Sequence, residues 1–326
     1  MASRTFHFPS PDARKVIVSA NPKAGARSGR PQIDAVSAQL TARGFDVETA
    51  TDIDHVAAQA VRWQESGQLR CVVAAGGDGT VALVANRTPP GTPLAILPLG
   101  TENLLARYLG VSPDPGRLCD LIEHSGTVQL DAGLADGRIF LLMVSCGFDA
   151  EVVRRLHQER SGHIHHLSYA KPILDSIRTY QYPEVRVIRD PQAASSDSSQ
   201  TQARWVFVAN LPRYAGGLQI LPQADGSDGL LDVCTFREGS LISGLVYLAG
   251  ILFGQHASWE GCEMQQLRRV RLEPLDPQRD VPYQLDGDPG GFLPVEIEIL
   301  PERLTLITPQ AWAQTHGFET TPAAGA

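Results

Sequence analysis

Leu69–Ala75 (LRCVVAA) is an apolar run that ends directly in Gly76-Gly77-Asp78-Gly79-Thr80, and no other stretch constrains the fold as strongly. A continuous apolar run reads as a strand buried on both faces. Three glycines in five residues let the backbone turn tightly and bring N–H groups against an anion without interference from a Cβ. A plain β-turn is the alternative reading, since D-G and G-D are common turn signals. The whole pentapeptide after a buried strand favours a nucleotide site. It matches neither the G-x-x-x-x-G-K-[ST] phosphate loop nor G-x-G-x-x-G, which argues against a P-loop NTPase and a Rossmann dehydrogenase.

The surrounding sequence repeats this arrangement. Val16-Ile17-Val18 is a short β-branched run entering the loop Asn21–Arg30, and a helix follows with Ile33, Val36 and Leu40 on one face and Gly44 as its stop. Phe45–Ala50 alternates like a strand, His55–Glu65 reads as a helix closed by Gly67, and Leu94–Leu99 is the next strand. Glu102–Leu109 reads as a helix capped by Thr101. Such alternation predicts a parallel sheet with helices on both faces, whose ligands sit at the carboxyl ends of the strands. Asn21-Pro22-Lys23-Ala24-Gly25 and Pro98–Asn103 are two further glycine-bearing turns at strand ends. Three such turns on one sheet edge point to a shared nucleotide cleft.

The pattern changes after about Gly126. Short β-like runs follow at Thr127–Leu130, Arg138–Val144, Glu184–Arg189, Arg204–Ala209, Leu230–Phe236, Val270–Leu275 and Val295–Leu300, interrupted by a helical stretch over Ala150–Tyr180. The expectation is an α/β N-terminal nucleotide-binding domain over residues 1–128, with a C-terminal return over 301–326, and a β-rich sandwich over 129–300. Asp190–Ala203 fits a polar hairpin tip, and the tail after Gln310 carries no readable pattern.

Composition narrows the function. The 326 residues suit two domains, and 28 Lys and Arg against 36 Asp and Glu give a net charge of −8. That balance argues against a protein that coats nucleic acid or an anionic membrane, though not against a small basic pocket. The 5 cysteines are odd in number and contain no C-x-x-C pair, which excludes a disulfide scaffold and a closely spaced four-cysteine zinc site; a reducing, cytoplasmic setting fits. The first twenty residues lack a signal-peptide pattern, and the longest apolar stretch, Leu241–Gly254, is too short for a bilayer that needs about 20 residues. His163, His165 and His166 read as solvated or capping residues, and Phe148, Trp205 and Phe207 as core.

Read in order, the motifs are Asn21–Gly25, Gly76–Thr80, Gly100-Thr101-Glu102-Asn103, Asp131-Ala132-Gly133 and Gly147-Phe148-Asp149-Ala150. Asn210 with Tyr214–Gly217, Asp228-Gly229-Leu230-Leu231-Asp232 and Asp286-Gly287-Asp288 complete the series. This set resembles the diacylglycerol-kinase catalytic-domain family of soluble lipid kinases, which includes bacterial diacylglycerol kinases, YegS-like kinases, and sphingosine and ceramide kinases. G-G-D-G-T alone is shared with NAD kinases; the later motifs single out the lipid kinases.

The resemblance implies an ATP-dependent kinase acting on the hydroxyl of a diacylglycerol- or sphingosine-like lipid, with peripheral membrane contact and room for a homodimer. It implies a nucleotide site formed by Asn21, Pro22, Lys23, Ala24, Gly25, Thr51, Gly76, Gly77, Asp78, Gly79, Thr80, Gly100, Thr101 and Asn103. Asp78 and Asp131 would serve a Mg²⁺–ATP network, Asp288 would be the base, and Asp286 the adjacent candidate. It further implies a structural Mg²⁺ held by Asp228 with main-chain oxygens near Asp225 and Leu230. From the residues alone, A-D-G-S-D-G reads equally as a turn and as an oxygen-rich cation loop, and D-G-D-P-G-G reads first as a turn. The chain departs from the family at three places: Val81-Ala82-Leu83 replaces x-N-E, Leu104 stands where bacterial diacylglycerol kinases carry Asp, and Asp288 stands for Glu. Two rival functions follow, a kinase of a soluble acceptor such as NAD and a nucleotide-binding regulator without turnover.

Overall fold

The computed structural model describes residues 4–20, 29–158, 180–191, 200–214, 216–239, 250, 259 and 261–320. The chain forms two compact units, residues 1–132 with 301–326, and residues 133–300. Leu241–Gly254 (apart from Gly250), His163, His165 and His166, and most of the expected Ala150–Tyr180 helix lie outside the described residues.

In chain order the elements are β1 (Thr5–Phe6), β2 (Lys15–Ala20), α1 (Arg30–Ala42), β3 (Asp46–Ala50), α2 (Ile53–Glu65), β4 (Leu69–Gly76), α3 (Asp78–Arg87), β5 (Pro93–Pro98), α4 (Leu104–Tyr108), α5 (Pro115–His124) and β6 (Thr127–Ala135). Then come β7 (Arg138–Phe140), β8 (Met143–Cys146), α6 (Phe148–Gln158), β9 (Val185–Arg189), β10 (Gln200–Ala203), β11 (Trp205–Ala209), β12 (Leu231–Phe236), β13 (Cys262–Leu267), β14 (Arg269–Pro274), β15 (Pro282–Leu285), β16 (Asp288–Phe292) and β17 (Val295–Ile307). The chain closes with α7 (Gln310–Thr315) and β18 (Glu319–Thr320).

In the first unit β3, β2, β4, β5 and the end of β17 lie side by side and parallel. All eight residues of β4 are buried, as expected for a central strand covered on both faces. One face of the sheet (Val16, Val18, Val73, Ala75, Leu97) packs against Ile33, Val36 and Leu40 of α1 and Leu118 and Ile122 of α5. Helices α2 and α3 pack on β4, with Val56, Ala60 and Trp63 of α2 buried. Gly44 and Gly67 take φ of +83° and +67°, the left-handed conformation that stops a helix. Asp114 caps α5 by accepting the Arg117 N–H at 2.9 Å, with Pro115 in the first turn. The tail after Gln310, unreadable in sequence, forms α7 and then β18, which pairs with β1.

The second unit is an antiparallel sandwich. One sheet runs β10-β9-β14-β17 and the other β13-β12-β11-β8-β15-β16. Strand β11 shows why so apolar a sequence belongs here. Val206 and Val208 join the core cluster with Val185, Val187, Val270 and Leu272, while Trp205, Phe207 and Ala209 pack with Phe148 and Val152 of α6. Both faces of the strand are therefore buried.

Three expectations are corrected. Gln200–Ala203, read as part of the polar hairpin tip, is strand β10, paired antiparallel with β9. The run Arg138–Val144 is two strands, broken at Leu141 and Leu142, because their N–H groups are taken by the carboxylate of Asp286 (2.7 and 2.8 Å) rather than by a neighbouring strand. Helix α4 begins at Leu104 rather than Glu102, and its cap is Asn103 in the left-handed conformation (φ +49°), not Thr101. Asn103 is held there by its own turn, accepting the Gly100 N–H at 2.9 Å and donating to the Gly100 carbonyl at 2.8 Å.

Candidate functional site

Strands β2 to β5 end level with one another, Ala20 beside Ala75, Ser19 beside Ala50 and Gly76 beside Pro98. The loops that follow therefore start from one edge of the sheet. Gly76–Thr80 follows β4, Gly100–Asn103 follows β5, and Thr51, exposed, follows β3. Asn21, Pro22, Lys23, Ala24 and Gly25 lie outside the described residues.

Glycine is required at the contact between the two described glycine turns. A Cβ on Gly100 would lie 2.6 Å from Gly77 Cα, and one on Gly76 would lie 2.1 Å from the Thr80 hydroxyl oxygen. The backbones touch, and Leu99 N–H donates to the Gly76 carbonyl at 2.9 Å to tie them. Asp78 completes the junction. Its Oδ2 accepts the Leu104 N–H at 2.8 Å and its Oδ1 the Leu105 N–H at 3.0 Å. Burial raises its carboxyl above the ordinary range, and the two backbone N–H groups offset this only in part. Asp78 thus clamps α4 to the glycine loop, a duty that its sequence position alone did not reveal. Leu104 still donates its N–H to this clamp, while its side chain is buried. Thr101 and Gly79 are on the two turns, with Thr101 exposed, and Thr80 is buried. Asp131 on β6 is buried, with Oδ1 accepting the Glu302 N–H at 2.8 Å.

In the second unit, Asp286 and Gly287 form the two-residue turn of the β15–β16 hairpin, with φ of +49° and +88° and Leu285 paired to Asp288. Positive φ at both positions is the type I′ geometry that Asp-Gly favours. The Asp286 carboxylate accepts N–H groups from Leu141, Leu142 and Met143 at 2.7 to 3.0 Å, and its own N–H donates to the Met143 carbonyl at 3.0 Å. Asp286 is an anchor. Asp288, two residues on, is exposed at the start of β16.

The Asp225–Leu230 loop is tightly self-bonded. Asp225 Oδ1 accepts the Ser227 hydroxyl at 2.7 Å, Asp228 Oδ1 accepts the Leu230 N–H at 2.9 Å, and Asp228 Oδ2 accepts from the Gln266 amide at 3.2 Å. Sequence reasoning left Asp232 unassigned here, although it ends the D-G-L-L-D motif. Its carboxyl is pushed up to about 6 by burial and by the nearby carboxylates of Asp228 and Asp225, and its Oδ2 has no hydrogen-bond partner. Among the described residues no three His, Cys, Asp or Glu side chains form a metal site by themselves. Main-chain oxygens would have to complete one. An orphaned buried carboxylate oxygen beside two other carboxylates fits a hard divalent cation.

Residues 15–135 match the family model of the diacylglycerol kinase catalytic domain, and residues 142–308 match that of the YegS C-terminal NAD kinase beta sandwich-like domain. The chain is 28% identical over 309 residues to a diacylglycerol kinase of Mycobacterium tuberculosis, covering 91% of this chain and 96% of that protein. It is 27% identical over 242 residues to an uncharacterised protein of Synechocystis sp., spanning 73% of this chain but only 54% of that protein. In structure it is similar to a crystal structure of a diacylglycerol kinase from Bacillus anthracis, with a TM-score of 0.66, 23% identity, and 93% and 99% of the two chains covered, a likeness of fold.

Proposed function

The chain belongs to the diacylglycerol-kinase catalytic-domain family of lipid kinases, and from that premise we propose that it phosphorylates the hydroxyl of a diacylglycerol- or sphingosine-like lipid at the expense of ATP. The observation that carries this reading is the pair of glycine turns, pressed backbone to backbone at the carboxyl edge of a parallel sheet and locked by Asp78. Such an edge is where nucleotides bind in α/β sheets, and main-chain N–H groups on glycine-bearing turns suit phosphates.

ATP, when bound, supplies the phosphoryl group, and Mg²⁺ neutralises the charge that builds on it. The chain's own residues bind, orient and accept a proton. The Gly76–Thr80 and Gly100–Asn103 turns would hold the phosphates, and Asp78 and Asp131 would serve the Mg²⁺–ATP network. Transfer would move the γ-phosphoryl group from ATP to the lipid hydroxyl oxygen, and Asp288 would accept the hydroxyl proton. Asp288 is preferred over Asp286 because the oxygens of Asp286 are engaged by three backbone N–H groups while Asp288 is exposed. Asp225, Asp228 and Leu230, with Asp232 beside them, would hold a structural Mg²⁺ that stabilises the sandwich.

We place the enzyme in the cytoplasm, touching the bilayer peripherally; no helix among the described residues is long and apolar enough to cross a membrane. The test is transfer from γ-labelled ATP to a panel of diacylglycerols, long-chain bases and NAD. Label in a lipid product supports the reading, and label in NAD alone replaces it with a soluble acceptor. Leu104, buried where a carboxylate would join the metal network, favours one second reading, a regulator that binds nucleotide without transfer. ATP binding with no labelled product on the whole panel would identify it.

A further inference from the structure

Behind the Asp286–Gly287 turn lies a buried polar chain that binding and proton transfer leave unused. Ser145 on β8 and Gln284 on β15 are cross-strand partners, and both are 0% exposed. Asp149, in the first turn of α6, places Oδ2 2.5 Å from Ser145 Oγ. Gln284 Nε2 lies 2.9 Å from Ser145 Oγ and 3.4 Å from Asp149 Oδ2, and the Gly287 N–H donates to Gln284 Oε1 at 2.7 Å. Tyr214 also hydrogen-bonds to Asp149.

The chemistry gives this chain a direction. A carboxylate only accepts hydrogen bonds, a hydroxyl has one proton to give, and an amide is a donor at one end and an acceptor at the other. Burial pushes the Asp149 carboxyl up, while hydrogen bonds from Ser145, Tyr214 and Gln284 favour its ionised form. As a carboxylate it accepts the Ser145 O–H, Ser145 accepts from the Gln284 NH₂, and the Gln284 carbonyl is left facing Gly287. Resting on the reading of Asp288 as the base, we propose that Asp149 is a positioning residue. Through Ser145 it fixes which end of the Gln284 amide meets Gly287 N–H, and so holds the turn on which Asp288 is carried. Each member of the chain is satisfied only in this one sense, so a change at Asp149 reaches the turn without touching it.

Polarity reversal tests it. Asp149→Asn can donate, which lets Ser145 and the Gln284 amide turn over and points an NH₂ at Gly287 N–H. Gln284→Glu keeps an acceptor for Gly287 but sets a second carboxylate against Asp149. In the double variant the amide introduced at position 149 donates and the carboxylate introduced at position 284 accepts, so the chain is whole again in the opposite sense. Each single variant should lower kcat by roughly 10- to 100-fold, the scale of a displacement of about 1 Å at a reacting group, with KM for ATP little changed. The double variant should recover most of that loss, which a merely space-filling role would not produce. Amide hydrogen exchange at Gly287 reads the same effect without substrate: faster in Asp149→Asn, restored in the double. Ser145→Ala breaks the chain without altering charge, covers the case in which Asp149→Asn does not fold, and should also speed exchange at Gly287. Wild-type exchange at Gly287 in a folded Asp149→Asn or Ser145→Ala protein, or a folded double variant no better than its worse parent, overturns the proposal. A wild-type protein that transfers phosphate to no lipid sinks the kinase reading alone, because the exchange measurement still decides the positioning.

Discussion

Replacing Gly100 with alanine asks whether the contact between the two glycine turns sets the nucleotide site. Gly100 is not among the residues with positive φ, so alanine suffers no backbone strain there and the new methyl is the whole perturbation. That methyl would lie 2.6 Å from Gly77 Cα, 2.8 Å from Asn103 Oδ1 and 3.2 Å from Gly77 N. Carbon contacts prefer about 3.5–4.0 Å, so the turns must part by about 1 Å. Asn103 cannot yield cheaply, because its amide already holds both the N–H and the carbonyl of Gly100. Overpacking of this kind costs ~1–3 kcal/mol, which in a unit of this size lowers Tm by roughly 2–12 °C. A displacement of about 1 Å at the phosphate site should also cost on the order of 100-fold in turnover. Gly77→Ala is the graded control: its Cβ would meet Gly100 Cα at 3.3 Å, which small shifts can absorb, so its effects should be clearly smaller. Thermal melts and calorimetric ATP titration of both variants make the comparison. A Gly100→Ala protein with wild-type Tm and wild-type ATP affinity would refute the reasoning.

Three other substitutions test the remaining carboxylates. Asp78→Asn keeps one acceptor but turns an NH₂ towards the Leu104 or Leu105 N–H, so it should cost about 1.5–3 kcal/mol of stability as well as turnover; an unchanged melting curve would show that the clamp carries no load. Mg²⁺ should raise the Tm of the wild type, by about 2.7 kcal/mol of stability at 100 times Kd, and Asp228→Ala should abolish that increment. Asp232→Asn removes one of three mutually repelling carboxylates, so it should raise Tm in EDTA while losing the Mg²⁺ response. A wild-type Mg²⁺ response in Asp228→Ala would count against the cation loop.

The α/β unit is legible in sequence because its signals are local. The continuous apolar runs Val16–Val18 and Leu69–Ala75 mark their own strands, Ile33, Val36 and Leu40 recur on one face of their helix, and Gly44 and Gly67 stop helices where they stand. Helix α5 carries a local signal too, Asp114 and Pro115 at its start, but its single apolar stripe of Leu118, Cys119 and Ile122 is short. The hairpin β15–β16 is hidden because Asp286-Gly287-Asp288-Pro289-Gly290-Gly291 reads as turn formers throughout, and β13 because Cys262–Leu267 is half polar. The anchors of the site leave no mark of spacing at all. Asp286 meets the backbone of Leu141–Met143 at separations of 143 to 145 residues, and Asp131 meets Glu302 at a separation of 171. Motif order draws attention to Asp78 and Asp286; only the folded chain shows each holding backbone N–H groups.

The most direct test compares wild type and Asp288→Asn in one experiment, with ATP affinity measured by calorimetry and γ-phosphoryl transfer to the best lipid acceptor measured in a single turnover on the same samples. On this account Asp288 serves the acceptor and not the nucleotide, so ATP affinity should stay close to wild type while transfer falls by ~100-fold or more, the range for loss of a general base. A folded Asp288→Asn protein that phosphorylates the lipid at the wild-type rate would contradict the account and move the base to another residue.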